Sequence, residues 1–244
     1  MNPFDSAFNV TSWFETGGEM FQTVSGNWDK QGMSFGPLQH NVGTCTLQCL
    51  LREIPTDILK EIFSSDYDEV FDILITPIKT AYQLNHVATK WNDERNRLLL
   101  KWTNYFKALG KYPEVQQAIM NSAKKYADAA QELAEWLKEG DKPTVREYCL
   151  AYDICVQNGG IGTSVRALYT LIRQPLKPFK KQGKDWLRFV AWNRACYSYI
   201  RGNTAFAIDV LERKLAIIEG TMYMRGRKES VDLDTRFGVS DEVY

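Results

Sequence analysis

From residue 43 onward the apolar residues recur with a helical period, and this spacing constrains the chain more than any other feature. Leu47, Leu50, Leu51 and Ile54 stand at i, i+3, i+4 and i+7 before Pro55 stops the run. Thr56 is placed to cap a further helix through about Phe63. The same reasoning predicts helices near 67–87, 91–109, 113–138, 143–158, 163–173, 184–201 and 203–217. They are punctuated by Gly110, Pro113, Gly140-Asp141, Gly159-Gly160, Pro175, Gly183 and Gly202. The expected class is therefore mainly α. A tail from Thr221 onward reads as polar and poorly periodic, and neither an internal repeat nor a low-complexity tract is visible. At 244 residues, 44% hydrophobic, there is enough apolar material for one sizeable core or two lobes sharing a cleft.

Residues 16–42 break the pattern. Gly17, Gly18, Gly26, Gly32 and Gly36, with Gly43 just beyond, crowd this stretch, while Thr23, Val24, Trp28, Met33 and Phe35 give weak strand character. A Gly-rich loop or small β-hairpin is expected there.

Thirty basic and thirty acidic residues cancel, so no overall field favours nucleic acid or an anionic membrane surface. The charge is unevenly spread: residues 1–75 carry 11 acids and 3 bases, a net −8. Lys177, Lys180, Lys181 and Lys184, around Pro175, Pro178 and Phe179, form a basic patch that reads as a solvated loop able to meet an anionic wall. Cys45, Cys49, Cys149, Cys155 and Cys196 are odd in number and lack CxxC spacing, and His40 and His86 are the only histidines. They are read as reduced and mostly buried, with neither a disulfide framework nor a metal site expected. No apolar run approaches the length of a membrane span, so no membrane insertion is expected, and the N-terminus lacks the pattern of a signal peptide. Synthesis in the cytoplasm, with release or export by other machinery, is the expectation that follows.

The chemistry is expected near the N-terminus. A helix over roughly Pro3 to Thr16 would end in Trp13-Phe14-Glu15-Thr16-Gly17-Gly18 and set one carboxylate at a helix C-terminus among aromatics. Desolvation and the negative end of the helix dipole both favour the protonated form, which a general acid needs. Asp29 lies fourteen residues later, in the Gly-rich turn Gly26-Asn27-Trp28-Asp29-Lys30-Gln31-Gly32, and Ser34 follows five residues further on. An inverting glycosidase needs an acid on one side of the scissile bond and a water-holding base on the other, with the carboxyls roughly 6.5–9.5 Å apart. At roughly 5–5.5 Å a retaining mechanism would follow instead.

The run Asp29-Lys30-Gln31-Gly32-Met33-Ser34-Phe35-Gly36 resembles the chitosanase pattern Asp-Gly-Arg-Gly-Tyr-Thr-x-Gly, and it is similar to the Asp-x-x-Gly-x-x-Thr-x-Gly region of phage-type lysozymes. Glu15-Thr16-Gly17 and Gly36-Pro37-Leu38-Gln39 resemble the Glu-Ser-Gly and Gly-Leu-Met-Gln signatures of lytic transglycosylases and goose-type lysozymes. The likeness to the lysozyme-like superfamily covers about residues 10–52, with weaker echoes at Asp153–Gly160 and near the C-terminus. Two departures stand out: Lys30 replaces the usual Gly after the Asp, and Ser34 replaces Thr.

This resemblance implies a single lysozyme-like catalytic domain over residues 1–244, with two lobes around a cleft. It implies that Glu15 is the acid, Asp29 the base and Ser34 the hydroxyl helping to hold the attacking water, with no cofactor or metal. Trp28 and Gln39 are candidates for substrate contact, as is Asn41, which could equally serve local turn bonding and helix capping. Asp153 and Gln157 share a helix face, and with Asn158 they are expected to line the far wall of the cleft. The other six tryptophans are read as core. The expected activity is hydrolysis of β-1,4 bonds in peptidoglycan, with chitosan as an alternative substrate and a non-catalytic glycan-binding or virion module as a third reading. A phage lysin, a virion component or an exported effector would fit, with holin, virion or secretion-apparatus partners and no nucleic acid.

Overall fold

The structure is a computed structural model and describes residues 2–77, 79–138, 141–173, 183–200, 202, 204–223 and 230–244. It is mainly helical, with thirteen α-helices and five short strands among the described residues. The chain divides into two compact units, Ser12–Lys124 and Met1–Thr11 with Lys125–Tyr244.

The unit Ser12–Lys124 takes the end of α1 (Pro3–Thr16), strands β1 (Val24–Ser25), β2 (Ser34–Phe35) and β3 (His40–Asn41), and helices α2 (Thr46–Glu53), α3 (Thr56–Phe63), α4 (Tyr67–Val70), α5 (Thr80–His86), α6 (Leu100–Leu109) and α7 (Pro113–Ala123). The strands form an antiparallel sheet in the order β1-β2-β3. Val24 lies opposite Phe35, and Phe35 opposite His40; in the next row Ser25 faces Ser34, and Ser34 faces Asn41. Because side chains alternate across a strand, the two rows point to opposite faces of the sheet. The first row packs inward: Phe35 meets Phe106 of α6 at 5.3 Å between ring centroids, and Phe106 meets Phe63 of α3 at 5.5 Å. His40 is buried and its Nε2 lies 3.0 Å from the Ser122 hydroxyl on α7. Leu47, Leu50, Leu51 and Ile54 are all buried, as their spacing predicts.

Three helices read from the periodicity are interrupted, the one over 113–138 by a 3-10 turn, Lys124–Tyr126, between Pro113–Ala123 and Ala127–Leu137. Over 67–87, α4 widens into a π-turn, Phe71–Ile75, and Thr76 is extended at ψ 134°. The residue before a proline is pushed out of the helical region, and Pro77 supplies that push. Over 91–109, a second π-turn, Val87–Trp91, ends at an extended Asn92, and α6 begins only at Leu100. Between them the Asp93 Oδ1 accepts from the Arg95 and Arg97 amides, at 2.9 Å each, and Asn96 is left-handed at φ +57°. Such local bonding by Asp and Asn competes with helix propagation. Thr56 is the first helical residue rather than the cap, which is Pro55.

The unit Met1–Thr11 with Lys125–Tyr244 holds α8 (Ala127–Leu137), α9 (Val145–Asn158), α10 (Thr163–Arg173), α11 (Gly183–Ile200), α12 (Thr204–Glu219), β4 (Thr221–Tyr223), β5 (Ser230–Asp232) and α13 (Leu233–Phe237). Every residue of α9 from Val145 to Cys155 is buried. The helix opens with a capping box, in which Thr144 and Glu147 bond each other's backbone amides, and closes at Gly159 with φ +68°. α12 packs against both α9 and α11.

The tail corrects the sequence reading. β4 and β5 pair in register from Thr221–Asp232 to Tyr223–Ser230, and the last residues bond to the start of α9. The Val145 and Arg146 amides donate to the Glu242 and Ser240 carbonyls, and the buried Arg146 side chain pairs with Asp234 and Asp241 at 2.8 and 2.7 Å. The tail is polar because its carboxylates neutralise a buried guanidinium. The five cysteines are free; Cys149 and Cys155 are buried, while Cys49 is exposed, so fewer are buried than expected. Burial pushes the Cys155 thiol up to about 11. The expected basic patch at Lys177, Lys180 and Lys181, with Pro175, Pro178 and Phe179, lies outside the described residues.

Candidate functional site

The last turn of α1 places Trp13, which is buried, and Phe14 side by side with ring centroids 5.5 Å apart, and half-buried Glu15 follows. Thr16 ends the helix. Its hydroxyl donates to the Ser12 carbonyl at 2.7 Å and accepts from the Met20 amide at 3.0 Å, while Gly17 turns left-handed at φ +61°. These bonds satisfy the groups a helix end leaves open and fix the direction of the chain past Glu15.

Asp29 stands in the loop joining β1 and β2, exposed, with Trp28 beside it 67% exposed. The loop is held from inside and from behind. The Asn27 Oδ1 accepts from the Gly32 amide at 2.8 Å, and the Asp29 Oδ1 accepts from the Gln31 amide at 3.0 Å. Lys30 is left-handed at φ +62°, so the position where the resembled pattern has Gly keeps the conformation glycine favours. Behind the loop stands Asn92, buried. Its Oδ1 accepts from the Asn27 amide at 3.0 Å, and its Nδ2 donates to the Gly32 and Val87 carbonyls at 2.9 and 3.0 Å. A Cβ at Gly26 would come within 2.6 Å of the Asn92 Oδ1, so this close approach requires glycine.

Asn92 is itself set by the π-turn before it. The Trp91 indole donates to Glu69 at 2.7 Å, and the same carboxylate oxygen lies 2.9 Å from the His86 Nε2. Burial acts to raise the Glu69 pKa, but the bonds from His86 and Trp91 outweigh it and hold the carboxyl below its ordinary value. Trp91 stacks on Trp102 at 3.9 Å.

Ser34 lies on β2 between Ser25 and Asn41 and is buried. Gln39 is left-handed at φ +52°, and its amide reaches the Gly36 carbonyl at 3.5 Å. Asn41 bonds locally: its Oδ1 accepts from the Thr44 amide and hydroxyl at 2.9 and 2.8 Å, and its Nδ2 donates to the Gln39 carbonyl. Glu15, Trp28, Asp29, Ser34, Gln39 and Asn41 thus all belong to the unit Ser12–Lys124, and Ser34 and Asn41 are direct cross-strand neighbours. A concavity of about 500 Å³ in the same unit, lined by Glu53, Pro55, Pro113, Glu114, Gln117, Ala118 and Asn121, includes none of them.

The second expected group lies in the other unit. Asp153 is fully enclosed, receiving the Arg213 Nη2 at 2.6 Å and the Lys214 Nζ at 3.0 Å. Its carboxylate offers no surface to a substrate, which corrects the expectation that it lines a cleft wall. Gln157 shares that face, but its carbonyl accepts from Lys214 and its amide donates to Asp209, both at 2.7 Å. The Asn158 Oδ1 is buried without a partner, and its backbone carbonyl accepts from Arg194 at 3.4 Å. The sequence signal for Asn92 was the run Asn92–Arg97, rich in turn formers, lying between two strongly periodic segments.

No known protein family, no curated protein and no solved structure matches the chain.

Proposed function

We propose that this chain is a glycoside hydrolase with a lysozyme-like fold that cleaves β-1,4 bonds of an amino-sugar polymer, with peptidoglycan as the favoured substrate. The observation that carries the reading is the order and setting of the carboxylates. Glu15 stands on the last turn of a helix beside two aromatic rings, and Asp29 is presented to solvent on a braced hairpin loop of the same unit. In this reading Glu15 protonates the leaving glycosidic oxygen while Asp29, assisted by the Ser34 hydroxyl, activates water on the opposite face of the sugar, with inversion. The exposed ring of Trp28 next to Asp29 is a surface on which a sugar can stack, and Gln39 and Asn41 offer amides to its substituents. The polymer would be reached after release or export, as for a phage lysin, a virion-borne lysin or an effector.

A chitosanase is the second reading, favoured by the net −8 of residues 1–75, which suits a cationic polymer. Incubation with purified peptidoglycan and with chitosan separates the two. Reducing ends are expected from peptidoglycan, with both Glu15→Gln and Asp29→Asn losing at least roughly a hundredfold in rate. Release from neither polymer would leave a non-catalytic glycan-binding or virion module. An anhydro product end would point to a transglycosylase and relieve Asp29 of its role.

A further inference from the structure

The π-turn Val87–Trp91 leads directly into Asn92, and one carboxylate oxygen spans it. His86 stands immediately before the turn and Trp91 is its last residue. The Glu69 Oε1 lies 2.9 Å from the His86 Nε2 and accepts from the Trp91 indole at 2.7 Å, so a single oxygen on α4 ties both ends of the turn. Asn92 closes the same turn from the other side, its Nδ2 donating to the Val87 carbonyl at 3.0 Å and to the Gly32 carbonyl at 2.9 Å. A change in the hold of Glu69 on this turn therefore reaches the loop of Trp28 and Asp29 through one side chain.

The connection is stiff. Trp91 is fully buried, stacks on Trp102 at 3.9 Å and meets the His86 ring edge-on at 6.3 Å. Of the six tryptophans read as core, Trp91 and Trp102 belong to it, while Trp192 is 59% exposed and corrects that reading. The proton-carrying end is open to solvent: the His86 and Glu69 side chains are 23% and 36% exposed.

The charges around the pair leave the imidazole as the variable one. Burial opposes ionisation of Glu69, but the bonds from His86 and Trp91 outweigh it and hold its carboxyl below the ordinary value, so it is ionised wherever imidazole titrates. Asp66 and Lys101 pair at 2.9 Å, which lowers the Asp66 pKa and raises that of Lys101. Lys60 on α3, Asp72 on the first π-turn and Lys90, four residues after His86, complete the charged set. Carboxylates and ammonium groups as a class keep their charge between pH 5 and 8, whereas imidazole changes its own.

We infer that the π-turn Val87–Trp91 is a proton-operated latch on the loop of Trp28 and Asp29: charged His86 and the Glu69 carboxylate draw its ends together, and loss of that proton slackens the loop. The charged imidazole makes the stronger, charge-assisted bond, so the latch is tightest on the acid side of this range and weakens as pH rises. Control of catalysis by the latch rests on the hydrolase reading above; control of loop order does not.

Hydrogen–deuterium exchange of the full chain, without substrate, tests it at residues 27–33 from pH 5 to 8, with rates corrected for the intrinsic effect of pH. Protection is expected to fall roughly two- to fivefold as pH rises, the range a partly exposed ion pair supports. The midpoint should coincide with the titration of the His86 ring proton followed by NMR. His86→Gln, which keeps a donor without a titrating charge, and Glu69→Gln, which removes the carboxylate, should each give protection that does not change with pH. Constant protection in wild type, protection that rises with pH, or an undiminished fall in either variant would overturn the inference. An undiminished fall in His86→Gln would assign the effect to His40, the other histidine. A fall seen in wild type and absent from both variants upholds the latch even where neither polymer is cleaved, in which case the hydrolase reading fails alone.

Discussion

A single amide side chain, that of Asn92, closes both ends of the loop that carries Trp28 and Asp29. It accepts from the amide of Asn27 and donates to the carbonyl of Gly32, and its own position is fixed by a further bond to Val87. Buried polar groups left without partners cost about 1–3 kcal/mol each, so the clamp matters most when it is half broken. Asn92→Ala is expected to destabilise the unit by about 1–3 kcal/mol in urea titration. It should also speed amide exchange at residues 27–33 beyond what global unfolding explains. Asn92→Asp distinguishes positioning from packing: it keeps the acceptor for Asn27 but sets a carboxylate oxygen against the Gly32 and Val87 carbonyls, so it should loosen the loop as much as alanine does. If the aspartate variant exchanges like wild type at 27–33, the amide does not hold the loop.

At the scale of elements, the hairpin shows how far local chemistry specified the site. Lys30 occupies a left-handed conformation between Asp29 and Gln31, held in place by the Asp29–Gln31 and Asn27–Gly32 bonds rather than by glycine. A β-branched residue is strained there, and Lys30→Val is expected to lower the melting free energy by about 1–2 kcal/mol, measured by calorimetry, while Lys30→Gly is tolerated. The crowding of glycines at 17, 18, 26, 32 and 36 made this irregular segment legible in the sequence, as the 3.6-residue spacing did for α2 and α9. What the sequence concealed depends on partners far along the chain. The third strand at His40–Asn41 forms because β2, paired to β1 on one side, offers its other edge, and the break at Asn92–Leu99 stands where the periodicity placed the start of a helix at about residue 91. The tail from Thr221 looked irregular because its order comes from Arg146, about ninety residues upstream. For the same reason Asp153 was misread: a polar residue on a helix face gives no sign in sequence of whether it meets solvent or two buried cations.

Over the whole molecule, burial of charge is the largest local risk to stability, and the cluster around Asp153 concentrates it. Asp153 and Lys214 are fully buried and Arg213 nearly so, and Gln157 completes the bonding of Lys214. Removing one member of such a set leaves an uncompensated buried charge and costs about 3–5 kcal/mol. Asp153→Asn should therefore lower the melting temperature by roughly 10 °C in a chain of this size. The pH dependence has a definite sign. Burial acts to raise the Asp153 pKa, but Arg213 and Lys214 outweigh it and hold the carboxyl below its ordinary value of 3.8. The folded state then binds the proton less readily than the unfolded one, so the contribution is complete above that value and is lost as pH falls through the lower folded value. Wild type should lose stability steeply as pH drops below about 3.8, and Asp153→Asn should show a shallower acid limb from a lower plateau. The triple replacement of Asp153, Arg213 and Lys214 by apolar residues of similar volume should recover much of the loss, since no buried charge is then stranded. A triple variant less stable than Asp153→Asn would mean that the cluster contributes net stability as ions, and that its charges do more than neutralise one another.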